Sequence, residues 1–288
     1  MTLLSFSNVS FTYRGDWLQK IHAVTDVSFA VPSGCAYGFL GANGAGKSTS
    51  IKLLTGLLHG HQGKITLFGQ PLGDRHLRAK LGYLPEQPYF YDNLQVEEYL
   101  TYLGRLSGMA PQAIRTACDR VYQLLDLGDL RTRMLRSFSK GMRQRFGLAQ
   151  AILHQPDLLV LDEPFSGLDP LWRARFREVL HHERKRGATL FFSSHILADV
   201  EDLCDHYGMI DHGRMLEQGR LADLLGQAPL ALTGSGPLFP EAEREARLAA
   251  LPPGAQVLRL ERQRIALEDY FVSRIRAFHG AGHRLGDT

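Results

Sequence analysis

The chain has 288 residues, 44% hydrophobic and 22% charged, and carries a formal net charge of +3 from 33 basic against 30 acidic side chains. That is the mixture of a soluble globular protein of roughly two domains at ~150 residues each, and so small a basic excess gives no footing for nucleic acid. The three cysteines (Cys35, Cys118, Cys204) are too dispersed for a disulfide framework or a zinc site, and no apolar run approaches the ~18–20 residues that span a bilayer.

Leu3 to Val9 alternates and reads as a strand, as does Val24 to Val31, which Pro32-Ser33-Gly34 ends. The start, Met1 to Ser10, lacks the basic flank and apolar stretch of a signal peptide, so a reduced, cytoplasmic chain is expected. Ala36 to Leu40 is a short apolar strand that runs into a Gly-rich loop. A helix is predicted over Lys47 to Leu58, and strands over Gly63–Phe68 and Leu81–Leu84. From Val96 to Leu153 the apolar residues take helical spacing, as in Leu100, Leu103 and Leu106, and Pro111 suits a first helical position. Strand and helix then alternate: Leu158–Asp162, Leu171–Arg186, Thr189–Ser193, Ile196–Leu203. Tyr207–Ile210 and Arg214–Gln218 flank the hairpin turn Asp211-His212-Gly213. Gln227 to Gly254, rich in Pro, Ala, Gly and Glu, reads as a boundary before a strand at Gln256–Leu260 and a helix near Leu267–Phe278. The expected organisation is α/β, a helical insertion over about 88–155, α/β again to 226, and an accessory segment over 227–288.

Gly41, Ala42, Asn43, Gly44, Ala45, Gly46, Lys47 and Ser48 match the phosphate-loop pattern G-x-x-x-x-G-K-[ST], with Thr49 following. The glycines let successive backbone N–H groups turn toward phosphate oxygens, and the next helix offers its positive end to the same charge. Lys47 can reach the β- and γ-phosphates, Ser48 can place its hydroxyl on Mg²⁺, and Thr49 lies by the α-phosphate. An accidental match is expected in roughly 1% of chains this long at average composition. Here the pattern also follows a strand and opens a helix, as the mechanism requires.

Leu158 to Leu161 is an apolar run that ends in Asp162-Glu163-Pro164. A buried strand can present carboxylates only at its exposed end. Asp162 then suits the Mg²⁺ shell, and Glu163, on the other side of the strand, suits the polarisation of an attacking water.

Ser137-Phe138-Ser139-Lys140-Gly141-Met142 lies between these two motifs. It resembles the Leu-Ser-Gly-Gly-Gln signature of the ATP-binding cassette (ABC) ATPases, with departures at Phe138, Lys140 and Met142. The resemblance runs from about Leu3 to Leu225. It implies a P-loop NTPase (RecA-like) core with an antiparallel β subdomain, a helical insertion and a small C-terminal extension. It also implies that Ser139 and Gly141 face the γ-phosphate held by a partner subunit, so that two chains sandwich two ATP molecules. Ser166 to Asp169 resembles the loop that meets the partner. His195, after Ser193-Ser194, resembles the histidine that senses the γ-phosphate, and Tyr13 the aromatic that stacks on adenine, with Phe11 as its neighbour and alternative. Gly82 to Gln87 resembles the Mg²⁺-sensing loop. The family's Gln stands where this chain has Glu86, so either Glu86 or Gln87 can serve the metal. Tyr89-Phe90-Tyr91 then either borders a groove for a membrane partner or packs the helical insertion.

The Ser-Lys-Gly-Met signature, together with Ala266-Leu-Glu-Asp-Tyr-Phe271, resembles ATPases of exporters with separate membrane polypeptides, the ABC-2-like group. The expectation is an ATP hydrolase, homodimeric or heterodimeric, peripheral on the cytoplasmic face and partnered by integral membrane permease subunits. The runner-up is a soluble ABC ATPase that serves no transporter.

Overall fold

The computed structural model describes residues 2–14, 20–226, 230–232, 260–262 and 267–280. The chain divides into two compact units, Met1–Gln218 and Gly219–Thr288. The division falls eight residues before the boundary that composition marks at 226/227, because the short helix Leu221–Gly226 goes with the second unit.

In the first unit, β1 (Thr2–Arg14), β2 (Lys20–Pro32), β4 (Gln62–Leu67) and β5 (Gln70–Pro71) form an antiparallel sheet in the order β2-β1-β4-β5. The second sheet has six strands in the order β10-β9-β3-β8-β7-β6. These are β3 (Ala36–Leu40), β6 (Leu81–Leu84), β7 (Leu158–Asp162), β8 (Thr189–Ser194), β9 (His206–Asp211) and β10 (Arg214–Arg220). Its inner strands are parallel, and β3, β7 and β8 are buried at every residue. Burial on both faces is why these strands read as continuous apolar runs rather than alternating ones.

Helix α1 (Lys47–Leu54) lies in the core between the sheets. Ile51, Leu53 and Leu54 join one apolar cluster with Leu4, Phe6 and Val9 of the antiparallel sheet and Leu158, Val160 and Phe191 of the parallel one. Phe29 is the hinge of that cluster, with ring centroids 4.5 Å from Phe6, 5.3 Å from Phe39 and 5.7 Å from Phe191. The helix stops at Leu54 rather than at Leu58. Gly56 takes a left-handed φ of +71°, which turns the chain out and leaves Leu57 exposed.

A short helix α2 (Arg75–Arg78) precedes β6. The insertion then supplies α3 (Val96–Leu106), α4 (Pro111–Leu125) and α5 (Lys140–Ile152). Each start follows from its sequence. Gln95 N–H donates to Glu98 at 2.9 Å, Pro111 opens α4, and Ser139 caps α5 by accepting from Met142 N–H at 3.3 Å. Helices α6 (Pro170–Lys185), capped by Asp169, and α7 (Leu197–Leu203) flank β8 in sequence.

The second unit contains α8 (Leu221–Gly226), an antiparallel pair β11 (Leu230–Leu232) and β12 (Leu260–Arg262), and α9 (Leu267–Gly280). The helix predicted near Leu267–Phe278 is α9. The strand predicted at Gln256–Leu260 lies outside the described residues except for Leu260, which begins β12.

Candidate active site

Strands β3, β8 and β7 are neighbours, and the chain leaves each at the same edge of the sheet. Leu40 pairs with Ser194, and Asp162 with Ser193. The three loops that follow therefore meet at the carboxyl ends of parallel strands, where ligands bind in open α/β sheets.

The loop after β3 is held tightly. A Cβ on Gly41 would stand 2.5 Å from the Ile210 carbonyl oxygen, and one on Gly46 2.6 Å from the Ala23 carbonyl oxygen. Gly46, at φ +104°, starts α1 in a conformation that side chains other than hydrogen rarely adopt. Lys47 is 5% exposed. Its Nζ donates to the carbonyl oxygens of Gly41 (2.7 Å) and Ala42 (3.2 Å) and pairs with Glu163 Oε1 at 3.3 Å. The two carbonyls take hydrogen bonds from the ammonium, while Glu163 Oε1 meets it as an ion pair without a hydrogen bond.

The acidic strand end is equally organised. Ser48 Oγ donates to Asp162 Oδ1 at 3.2 Å, and Ser193 Oγ donates to the same oxygen at 2.6 Å. Ser193 Oγ also accepts from Glu163 N–H at 3.0 Å. Burial pushes the Asp162 carboxyl above its ordinary pKa, and the Glu163 charge pushes the same way. The Ser193 and Ser48 hydrogen bonds and the Lys47 charge oppose them. Glu163 takes a left-handed φ of +48°, and its Oε2 meets His195 Nδ1 at 2.8 Å. Glu163 thus links Lys47 on one side to His195 on the other.

These groups border a cavity of about 620 Å³. Ala42 to Gly44 and Gly46 to Thr49 line it, with Tyr13, Glu163, Ser166 and His195. The Tyr13 hydroxyl stands 3.3 Å from Thr49 Oγ1, while Phe11 meets Tyr13 edge-on at 5.0 Å and packs on the core cluster. Of the two aromatic candidates, Tyr13 is the one on the cavity. Gly41 and Ala45 support the loop from behind, and Asp162 stands behind Ser48.

Three predicted residues, Gln87, Ser139 and Gly141, fall elsewhere. Glu86 lines this cavity and also a neighbouring one of about 590 Å³, which Gln87 lines with Phe90, Phe138, Lys140 and Arg143. Of the two candidates for the metal-sensing loop, Glu86, four places after Gly82, is the one that reaches the phosphate-loop cavity. The aromatic triplet divides: Phe90 packs on Tyr99 and Phe146, while Tyr89 and Tyr91 are exposed. Ser139 is exposed on the start of α5, and neither it nor Gly141 lines the phosphate cavity of its own chain.

Ser193, bonded to both Asp162 and Glu163, is a residue of this site that sequence reading passed over. Its signal, a Ser before Ser194-His195, gains meaning only when the β7–β8 register sets it beside Asp162.

A family model for ABC transporters matches residues 24–166, from β2 through the loop after Glu163. An ABC transporter ATP-binding protein of Synechocystis, sll0415, is 38% identical, over 93% of this chain and 83% of that one. The chain belongs to the ABC transporter ATP-binding proteins. The lantibiotic transport ATP-binding protein SrtF of Streptococcus pyogenes is 37% identical, over 72% of this chain and 86% of its own. A solved ATP-binding subunit of an ABC transporter superposes with a TM-score of 0.73 at 29% identity, over 95% of this chain and 99% of that one. The chain brings the loop after β3 and Glu163 at the β7 end to one cavity. Among the described residues no helix is long and apolar enough to cross a membrane.

Proposed function

We propose that this ABC ATPase is the motor subunit of an exporter whose membrane path lies in separate permease chains. It binds on the cytoplasmic face and works as a dimer that closes on two ATP molecules. The observation that carries hydrolysis is Glu163, a carboxylate 9% exposed that is held between Lys47 and His195 at the cavity wall.

In this reading the triphosphate lies over the start of α1, where the loop N–H groups and the helix dipole favour anions. Tyr13 carries the adenine. Lys47 exchanges its contact with Glu163 for the β- and γ-phosphates, which frees the carboxylate. Glu163 then accepts a proton from a water as that water bonds to the γ-phosphorus and ADP leaves. His195, steered by Glu163 through Nδ1, keeps its second nitrogen for a γ-phosphate oxygen.

Ser48 and Asp162 are the residues that fit Mg²⁺. The fit rests on Asp162, a carboxylate 3% exposed whose desolvation outweighs the charge of Lys47. Among the described residues no three His, Cys, Asp or Glu side chains are placed to hold a metal ion by themselves. One carboxylate and one hydroxyl, completed by phosphate and water, is the usual Mg²⁺ arrangement. The ion would neutralise charge on the phosphate oxygens.

The dimer follows from the position of Ser139 and Gly141, which stand off their own chain's cavity and so need a second copy's nucleotide. Export is supported by the Ser-Lys-Gly-Met signature and by the sequence that opens α9.

The test is Glu163→Gln. Turnover falls by about 10²–10⁴-fold, ATP binding persists, and size-exclusion chromatography with ATP shows a dimer. Wild-type turnover in this variant would remove Glu163 from the reaction.

A further inference from the structure

Helix α5 begins at Ser139, where this reading places a partner's phosphate. The same helix is tied within its own chain to the turn that carries Glu163. Gln144 is 2% exposed, and its Nε2 donates to the Pro164 carbonyl oxygen at 3.1 Å. Pro164 directly follows Glu163, whose left-handed φ needs support from its surroundings.

A second tie lies nearer the start of the helix. The Lys140 side chain crosses Gly167: a Cβ built on Gly167 would stand 2.7 Å from Lys140 Cε and 3.0 Å from Cδ. Gly167 holds φ +74°, and the preceding Ser166 lines the nucleotide cavity. Ser166 N–H donates to the Glu163 carbonyl oxygen at 3.0 Å. The first tie thus ends on Pro164, next to Glu163, and the second on Gly167, whose neighbour Ser166 donates to Glu163. Lys140 occupies a position where the family signature carries glycine, which has no side chain to make such a contact.

We propose that Gln144, seconded by the Lys140 stem, is a positioning residue that links occupancy of the signature by one ATP to the placement of Glu163 beside the other. A helix is stiff, so a shift at Ser139 moves Gln144 and with it the Pro164 carbonyl. The two ATP sites of the dimer then act together rather than independently. This rests on the dimeric reading above.

The test uses the full chain and steady-state ATP hydrolysis. Gln144→Met keeps the volume and removes the donor. It should leave nucleotide affinity within about twofold, lower kcat about tenfold, and bring the Hill coefficient toward 1. A buried amide that served packing alone would change stability and leave the Hill coefficient alone. Lys140→Ala should lower kcat about threefold at unchanged KM, and Lys140→Met, which keeps the methylene stem, should restore it. Wild-type kcat and Hill coefficient in a folded Gln144→Met chain overturn the coupling; should that variant not fold, the same result in Lys140→Ala does so. The dimer is read separately, from Glu163→Gln with ATP. A dimer there with no coupling defect sinks only the inference, whereas a monomer sinks both.

Discussion

Two helix starts in this molecule face phosphate in the proposed reading, and they are built oppositely. The start of α1 is enclosed: Lys47 is buried, hydrogen-bonded to two carbonyls and paired with Glu163, and a methyl group on Gly46 would strike the Ala23 backbone. The start of α5 is open: Ser139 is exposed, and a Cβ on Gly141 would meet nothing nearer than 3.7 Å. Both offer the same partial positive charge and free N–H groups. The first is finished by its own chain. The second has its geometry but no counter-surface, which is the character of a half-site.

Substitutions in the two starts should separate accordingly, and the largest effect belongs to Lys47. Lys47→Ala strips Glu163 of its buried cation, and removing one member of such a pair costs ~3–5 kcal/mol. Nucleotide titration should show ATP affinity lost by at least about a hundredfold, with a lower melting temperature. Undiminished binding would break the assignment of the enclosed start.

The glycines give the cleanest contrast. Gly46→Ala forces a left-handed backbone and a 2.6 Å approach, so nucleotide affinity of the isolated chain should fall at least about tenfold. Gly141→Ala has room. It should leave fold and single-chain affinity unchanged while lowering dimer ATPase. If Gly141→Ala binds ATP poorly as a monomer, the half-site interpretation fails.

Ser139→Ala comes next. Loss of its bond from Met142 N–H should cost about 1 kcal/mol in urea unfolding, the usual worth of a cap. ATPase should fall further than that loss of stability explains.

The contrast between the starts also marks what was legible in the sequence. Much of what local chemistry governs was readable: the limits of β3, β6 and β7, the Pro111 helix start, the loop from Gly41 to Thr49. The pattern of motifs likewise named Asp162, Glu163 and His195, which the fold brings together. Relations between distant segments were not readable. The Ser193 bridge depends on a strand register, the place of Glu86 on the phosphate-loop cavity on how the chain leaves β6, and the Gln144 tie on helix packing. The helix predicted to Leu58 ended early because Gly56 adopted a left-handed turn that the apolar pattern of Leu57-Leu58 concealed.

The rear of α5 supplies the smallest effect and the last contrast. His154, two residues past the helix, is partly buried. Desolvation lowers its pKa below 6.5, helped by Arg186 and Arg120, while a hydrogen bond with the Leu81 backbone opposes. The unfolded chain then takes up this proton before the folded one. The contribution of neutral His154 is complete above about pH 6.5 and is lost as pH falls through the lower folded value. Melting temperature should therefore decline between pH 7 and pH 5, ahead of the range where carboxylates titrate. His154→Gln, which can keep the backbone bond, should flatten that limb. His61, also lowered by burial, leaves a residual slope. The exposed front of the same helix has no such group, so Ser139→Ala should shift the whole melting curve down at every pH without changing its shape. An equal flattening in both variants would mean that the acid limb does not originate at the rear of α5.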